Sequence, residues 1–270
     1  MSSSQIQIIT IVTNNYINYL ESFVDSLKHF FPGYSKKLTV ISDKNVVIKN
    51  GRINEVEVVK ILDLLYPSIN VNKTYFIEQC ADKTCDFCFY FDIDTVFLDN
   101  PEYDWNTLID KINDNYILLA KHPFYAMGDN DTWGGSKRND LIKNFFSENL
   151  TERNKWSSAY IGDESYIYVN SAFFGGKTED VVRFCQKITE MEKMDLQRHF
   201  IPDTNMTYHI PQFIDENYFN RLSYDYTWGK TNEFKFIVDQ FSKLYSKPTY
   251  GIKTIFMSQK DMPDFKTNRR

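Results

Sequence analysis

The chain has 270 residues, 42% hydrophobic and 25% charged, with a formal net charge of -5. That length buries a real core without disulfide or metal staples. The acidic balance, relieved only by the short basic tail KTNRR, excludes nucleic acid as the main partner. Aromatic residues reach 16%, a level that suits flat ligands such as bases and sugars but is read first as a compositional habit. Cys80, Cys85, Cys88 and Cys185 have no histidine at ligand-like spacing, so they read as buried thiols and not as structural zinc. The N-terminal segment lacks a basic n-region, and no run of about 20 apolar residues occurs. The expectation is a soluble cytoplasmic protein without a membrane span, in which the sequons at Asn72, Asn149 and Asn205 are incidental.

In chain order, IQIITIVT at 6–13 is dense in β-branched residues and predicts a strand. Leu20, Phe23, Val24, Leu27 and Phe31 recur at three- and four-residue spacing and predict a helix over 17–31, stopped by PGY at 32–34. KKLTVISD at 36–43 is a second strand ending in Asp43. Strand, helix, strand opens an α/β unit with a parallel sheet. Residues 55–66 read as strand into helix, and NKTYFIEQCAD continues a helix. CDFCFYF at 85–91 is nearly all apolar, as a central strand covered on both faces must be.

A helix over 106–113 and a strand over 116–120 follow, then a polar, irregular stretch over 121–165. SYIYVNSAFFGG at 165–176 predicts a strand closed by Gly175 and Gly176. TEDVVRFCQKITEMEKM at 178–194 predicts a helix capped by Thr178, and DENYFNRL at 215–222 starts another. The fold class is therefore α/β: a single mixed domain with a largely parallel central sheet flanked by helices.

Asp92 and Asp94 stand where the apolar run of the central strand stops, at the edge where such sheets bind ligands. In an extended chain both point to one side and Ile93 to the other. Two carboxylates on one spot suit a hard divalent cation, which takes oxygen ligands from protein carboxylates and substrate phosphates. The same D-x-D-x-[TV] pattern occurs in haloacid-dehalogenase phosphatases, with Asp92 as nucleophile and Asp94 as acid/base, but that family opens with this strand and here some 90 residues precede it.

SAFFGG at 171–176 and DENYFN at 215–220, downstream of a strand-end D-x-D, resemble glycosyltransferase family 6, the family of the histo-blood-group A and B transferases and the α-1,3-galactosyltransferase, with bacterial and phage members. IVTNNYINYLESF, KKLTVISD, HPFY at 122–125 and TERNKWSSAYI at 151–161 fall in the family's order, so the resemblance spans most of residues 8–222.

The resemblance implies a GT-A fold over residues 1–270, with a nucleotide-binding part at about 6–100 and an acceptor and catalytic part at about 101–270. It implies Mn²⁺, with Mg²⁺ as the second candidate, and a UDP-galactose or UDP-N-acetylgalactosamine donor, with a lean to the latter. Transfer is to the 3-hydroxyl of a galactoside-type glycan or glycolipid, with retention of the α configuration. Thr13 and Tyr16 are implied to line the uridine site, Asp92 to face ribose and metal, and Asp94 to be the firmer metal ligand. The resemblance likewise implies that Asn170, Ser171 and Ala172 lie by the sugar, that Glu216 is the carboxylate under the anomeric carbon, that Asp215 grips sugar hydroxyls, and that Lys260, Lys266 and Arg269 form a C-terminal cluster closing over the diphosphate.

Plainer roles stand beside these: core packing for Tyr16 and Trp156, a first-turn carboxylate for Glu216, a helix cap for Asp215, a loop hydrogen bond for His122 and a solvated pair for Asp163 and Glu164. The chain departs from the vertebrate pattern at Phe213 and Ile214, where Trp and His are expected. An arginine expected before the central strand is absent, with Lys73 as the stand-in. The missing anchor and stem point to a bacterial or viral member acting on a cytoplasmic-side glycan, in the host cytoplasm if viral. Peripheral membrane contact is compatible with this, and the oligomeric state is open. The alternative of a different class is a nucleotide-sugar or glycan binder without turnover.

Overall fold

The computed structural model describes residues 4–48, 53–62, 69, 72–99, 104–113, 116–121, 169–199, 235–239 and 256–258. Their centre is a seven-stranded sheet of β1 (Gln5–Val12), β2 (Ser35–Ser42), β3 (Glu55–Lys60), β4 (Phe87–Phe91), β6 (Tyr116–Lys121), β7 (Val169–Lys177) and β8 (Lys235–Asp239), in the order β3-β2-β1-β4-β7-β6-β8. The pairs β1–β2, β2–β3, β1–β4 and β6–β8 are parallel, whereas β7 runs antiparallel to both β4 and β6. The sheet is thus mixed, with one reversed strand set against the others, and not uniformly parallel. A separate pair joins β5 (Thr95–Phe97) to β9 (Phe256–Ser258).

Side chains alternate along each strand, and each face has its own core. Phe87, Phe89 and Phe91 of β4 lie with Ile6 and Ile8 of β1 and Leu38 and Val40 of β2, under α1 (Leu20–Ser26) and α3 (Trp105–Asn113). Cys88 and Tyr90 lie on the other face with Ile9, Ile11 and Ile41, under α2 (Lys73–Cys80) and α4 (Thr178–His199). The chain steps one way from β1 to β2 through α1, and steps back past β1 from β3 to β4 through α2. Right-handed crossovers in opposite directions require helices on opposite faces, and that is where α1 and α2 lie.

The expected helix over 17–31 is broken. A short α1 lies between 3₁₀ turns at Asn14–Tyr19 and Leu27–His29. The predicted apolar stripe of Leu20, Phe23, Val24 and Leu27 is nevertheless buried. The early ending has a local cause: Ser26 Oγ donates to the Phe23 carbonyl at 2.9 Å and accepts from Phe97 N–H at 3.1 Å, competing with the regular helical bonds. Gly33, at φ +88, then turns the chain into β2.

The glycines expected to close a strand lie inside β7, which runs on to Lys177. Gly175 pairs with Phe89, and a Cβ there would stand 2.1 Å from Phe89 Cδ1, so the Phe89 ring occupies the space of a side chain. Cys85, Cys88 and Cys185 are buried free thiols and Cys80 is half-buried, as the spacing predicted. Burial pushes the Cys80 and Cys85 thiols up to about 11, so neither is a reactive thiolate at neutral pH.

Candidate functional site

β4 delivers five buried residues and then Asp92, at the carboxyl edge beside the point where strand order reverses between β1 and β4. Open α/β sheets bind ligands at such a switch point. The chain does not stay extended there as expected. Thr95 N–H donates to the Asp92 carbonyl at 3.1 Å and closes a turn over Asp92–Thr95. Ile93 sinks into the core at 2% exposure and anchors the turn. Asp94 is buried at 8%, whereas the Asp92 side chain keeps 36% of its surface.

Asp92 is held from within the protein. Lys73 Nζ, in the first turn of α2, lies 3.1 Å from Asp92 Oδ1 and 4.9 Å from the centroid of the Tyr90 ring. The Tyr90 hydroxyl donates to the same oxygen. Burial, then the charge of Asp92 and its hydrogen bond, and then the charge of Asp94, raise the Tyr90 hydroxyl well above its ordinary value. Tyr90 is therefore a fixed neutral donor, and both carboxylates act on this one hydroxyl. Among the described residues no group of three or more His, Cys, Asp or Glu forms a metal cage. The donor chemistry still fits Mg²⁺ or Mn²⁺, which take one or two protein carboxylates and complete their shell with water and phosphate.

β7 closes the other side. Asp92 N–H donates to the Ala172 carbonyl at 2.9 Å. Between β6 and β7 the register shifts. After Leu119↔Phe174, regular pairing would set Phe173 opposite Ala120, but Asn170 stands there, three residues on. Phe173 stays paired with Phe91 of β4. The bulge places the backbone of residues 170–172 at the ligand edge, a common use of bulges beside sites.

On the far side of the switch point Thr13 continues β1 in extended conformation and precedes the 3₁₀ turn, with Tyr16 N–H donating to its carbonyl at 3.1 Å. The β1–β4 register pairs Ile9 with Tyr90 in parallel, so the carboxyl ends of the two strands, followed by Thr13 and by Asp92, lie at the same edge. Tyr16 is 41% exposed, so core packing does not account for it. Its ring centroid lies 5.8 Å from that of Tyr19. β9 ends with Ser258 opposite Thr95, so it runs toward the turn that carries Asp94.

The structure therefore brings Asp92, Asp94, Thr13, Tyr16 and the 170–172 backbone to one edge. Asp215, Glu216, Lys260, Lys266 and Arg269, with His122, Trp156, Asp163, Glu164, Phe213 and Ile214, lie outside the described residues. Tyr90 was missed in the sequence, although its place two residues before Asp92 on an extended strand sets both on one face. Lys73 was legible only as a stand-in for an arginine.

Among the described residues, no helix is long and apolar enough to cross a membrane. No family model matches the sequence. The chain is similar to the O-antigen biosynthesis glycosyltransferase WbnI of Escherichia coli, with 24% identity over 256 residues that cover 91% of this chain and 89% of that protein. This weak but end-to-end similarity supports kinship with glycosyltransferases in general, without reaching family 6 in particular.

Proposed function

We propose that the chain is a metal-dependent retaining glycosyltransferase of family 6. On this reading it has a GT-A fold, with residues 1–270 forming one domain. It moves galactose or N-acetylgalactosamine, by preference the latter, from a UDP-sugar to the 3-hydroxyl of a galactoside in α linkage. The observation that carries this reading is the Asp92–Thr95 turn at the switch point, flanked by Lys73 on one side and the Ala172 carbonyl on the other. The similarity to WbnI supports it independently, and the words O-antigen biosynthesis in that protein's name favour a bacterial surface-glycan precursor as acceptor.

Asp92 and Asp94 would hold Mn²⁺, with Mg²⁺ as the second candidate; when bound, the ion supplies Lewis-acid stabilisation of the departing diphosphate. Lys73 and Tyr90 fix the direction of the Asp92 side chain, so the site needs little reorganisation when donor arrives. Tyr16 offers a partly exposed ring to the uracil base and Thr13 a polar edge beside it. Asn170, Ser171 and Ala172 line the sugar. Asp215 grips its hydroxyls, and Glu216 stands under the anomeric carbon as nucleophile or as stabiliser of oxocarbenium charge. Lys260, Lys266 and Arg269 close over the diphosphate and exclude water, so that transfer outruns hydrolysis.

Calorimetric titration with UDP, with and without Mn²⁺, tests the donor half of this reading. Wild-type protein binds UDP more tightly with Mn²⁺, and Asp94→Asn weakens the Mn²⁺-dependent part roughly tenfold or more. Equal UDP affinity with Mn²⁺ and with chelator sinks the metal assignment.

A further inference from the structure

β3 is the last strand of the seven-stranded sheet, and no strand among the described residues lies beyond it. Val56 and Val58 stand on one face of this edge at 36% and 40% exposure. The phase of its backbone is set by Ile61 N–H, which donates to the Ser42 carbonyl at 2.9 Å. Successive residues of a strand turn their peptide groups to opposite sides. Ile61, Val59 and Glu57 therefore turn N–H and C=O toward β2, and Val56, Val58 and Lys60 turn theirs outward. Outward groups of this kind are a template for a further strand.

The side chains on the edge select a second copy of the same strand. In an antiparallel pair, residues directly opposite share a face, and about a two-fold axis one residue opposes itself. Centring on Val56 sets Glu55 against Glu57 of the second copy, and centring on Lys60 sets two lysines together. Like charges directly opposite are destabilising. Centring on Val58 avoids both: Val58 meets Val58, Val56 meets Lys60, and Glu57 meets Val59. The Lys60 stem then covers the exposed Val56 while its ammonium stays in water. Glu57 is held at 3.3 Å by Lys37 of its own chain, which offsets its charge at the junction.

We propose that the protein self-associates through β3, antiparallel about Val58, so that two sheets join into one, an inference independent of the transferase reading. β3 runs parallel to β2 and β1. The junction therefore points the two carboxyl edges in opposite directions and leaves each candidate site uncovered. A single strand pair is a small interface, so the dimer dissociates on dilution.

Sedimentation over a concentration series tests this, with wild-type protein beside Val58→Pro and thermal unfolding of both. Proline removes an N–H that β2 does not use, so the variant folds and stays monomeric where wild-type protein dimerises. A short bismaleimide applied to Val58→Cys and Val56→Cys reads the register. Self-opposed residues have Cβ atoms about 5 Å apart, whereas the two copies of residue 56 are offset by about 14 Å along the strands. Val58→Cys is cross-linked into a dimer, and Val56→Cys is not cross-linked above the wild-type level. Wild-type protein still monomeric at about 1 mM overturns the proposal. A dimer that persists in folded Val58→Pro also overturns it, because the contact then lies on another surface. Cross-linking of Val56→Cys in preference to Val58→Cys overturns it whether or not Val58→Pro folds.

Discussion

Tyr90 and Lys73 hold one oxygen of Asp92 from the protein side, and a third of the side chain stays open to solvent. Lys37 does comparable work at the opposite edge of the sheet. Its side chain is only 10% exposed, and its amine meets Asp82 at 2.9 Å, Glu55 at 3.1 Å and Glu57 at 3.3 Å. The hydrogen bond with Asp82 leads the rise in the Lys37 pKa, which burial opposes. Bonds from Lys37 and Thr84 hold the Asp82 carboxyl down to about 2, from 3.8 when unfolded. A depressed folded pKa gives stability that is complete above the unfolded value and lost as pH falls through the folded one. Urea unfolding between pH 5 and pH 2 should therefore lose about 2 kcal/mol through this group. Asp82→Asn, measured in the same series, should flatten that part of the curve. An unchanged slope in the variant would remove Asp82 from the account.

β4 and β7 show what each element owes to its neighbour. The apolar run of β4 announced a strand covered on both faces, and all five of its residues are buried. The two glycines of β7 announced the close of a strand, and not the space that a neighbouring side chain takes at Gly175. Only the antiparallel register, Phe89 against Gly175, shows that the Phe89 ring fills it. Gly175→Ala should cost about 1–3 kcal/mol by overpacking, read as a lowered melting temperature. A variant as stable as the parent would mean that Phe89 moves aside freely.

α1 marks the limit of periodicity. Its stripe was legible because three- and four-residue spacing survives in short helical pieces. Its breaks were not, because Ser26 Oγ bonds both its own turn and the distant Phe97 N–H. The bulge in β7 was equally hidden, since it exists only as a mismatch between β6 and β7.

At the scale of the whole molecule, the parallel opening of the sheet followed from strand, helix and strand in order, whereas the reversal of β7 depends on pairing partners far apart in the chain. The D-x-D could be placed at the ligand edge because an apolar strand ends there. Its turn could not be foreseen, because Ile93 is drawn down by core packing that no local pattern encodes. The convergence of Thr13, Tyr16, Asp92, Asp94 and the 170–172 backbone on one edge is what makes a nucleotide-sugar reading physically coherent.

The most direct test of that reading is release of UDP from UDP-galactose and UDP-N-acetylgalactosamine without acceptor, in Mn²⁺ and in chelator, beside Glu216→Gln. The account predicts release that requires the metal, prefers one sugar and falls about a hundredfold or more in the variant. Cleavage of a generic phosphomonoester with no UDP released from either sugar would contradict it and point to Asp92 as a phosphatase nucleophile.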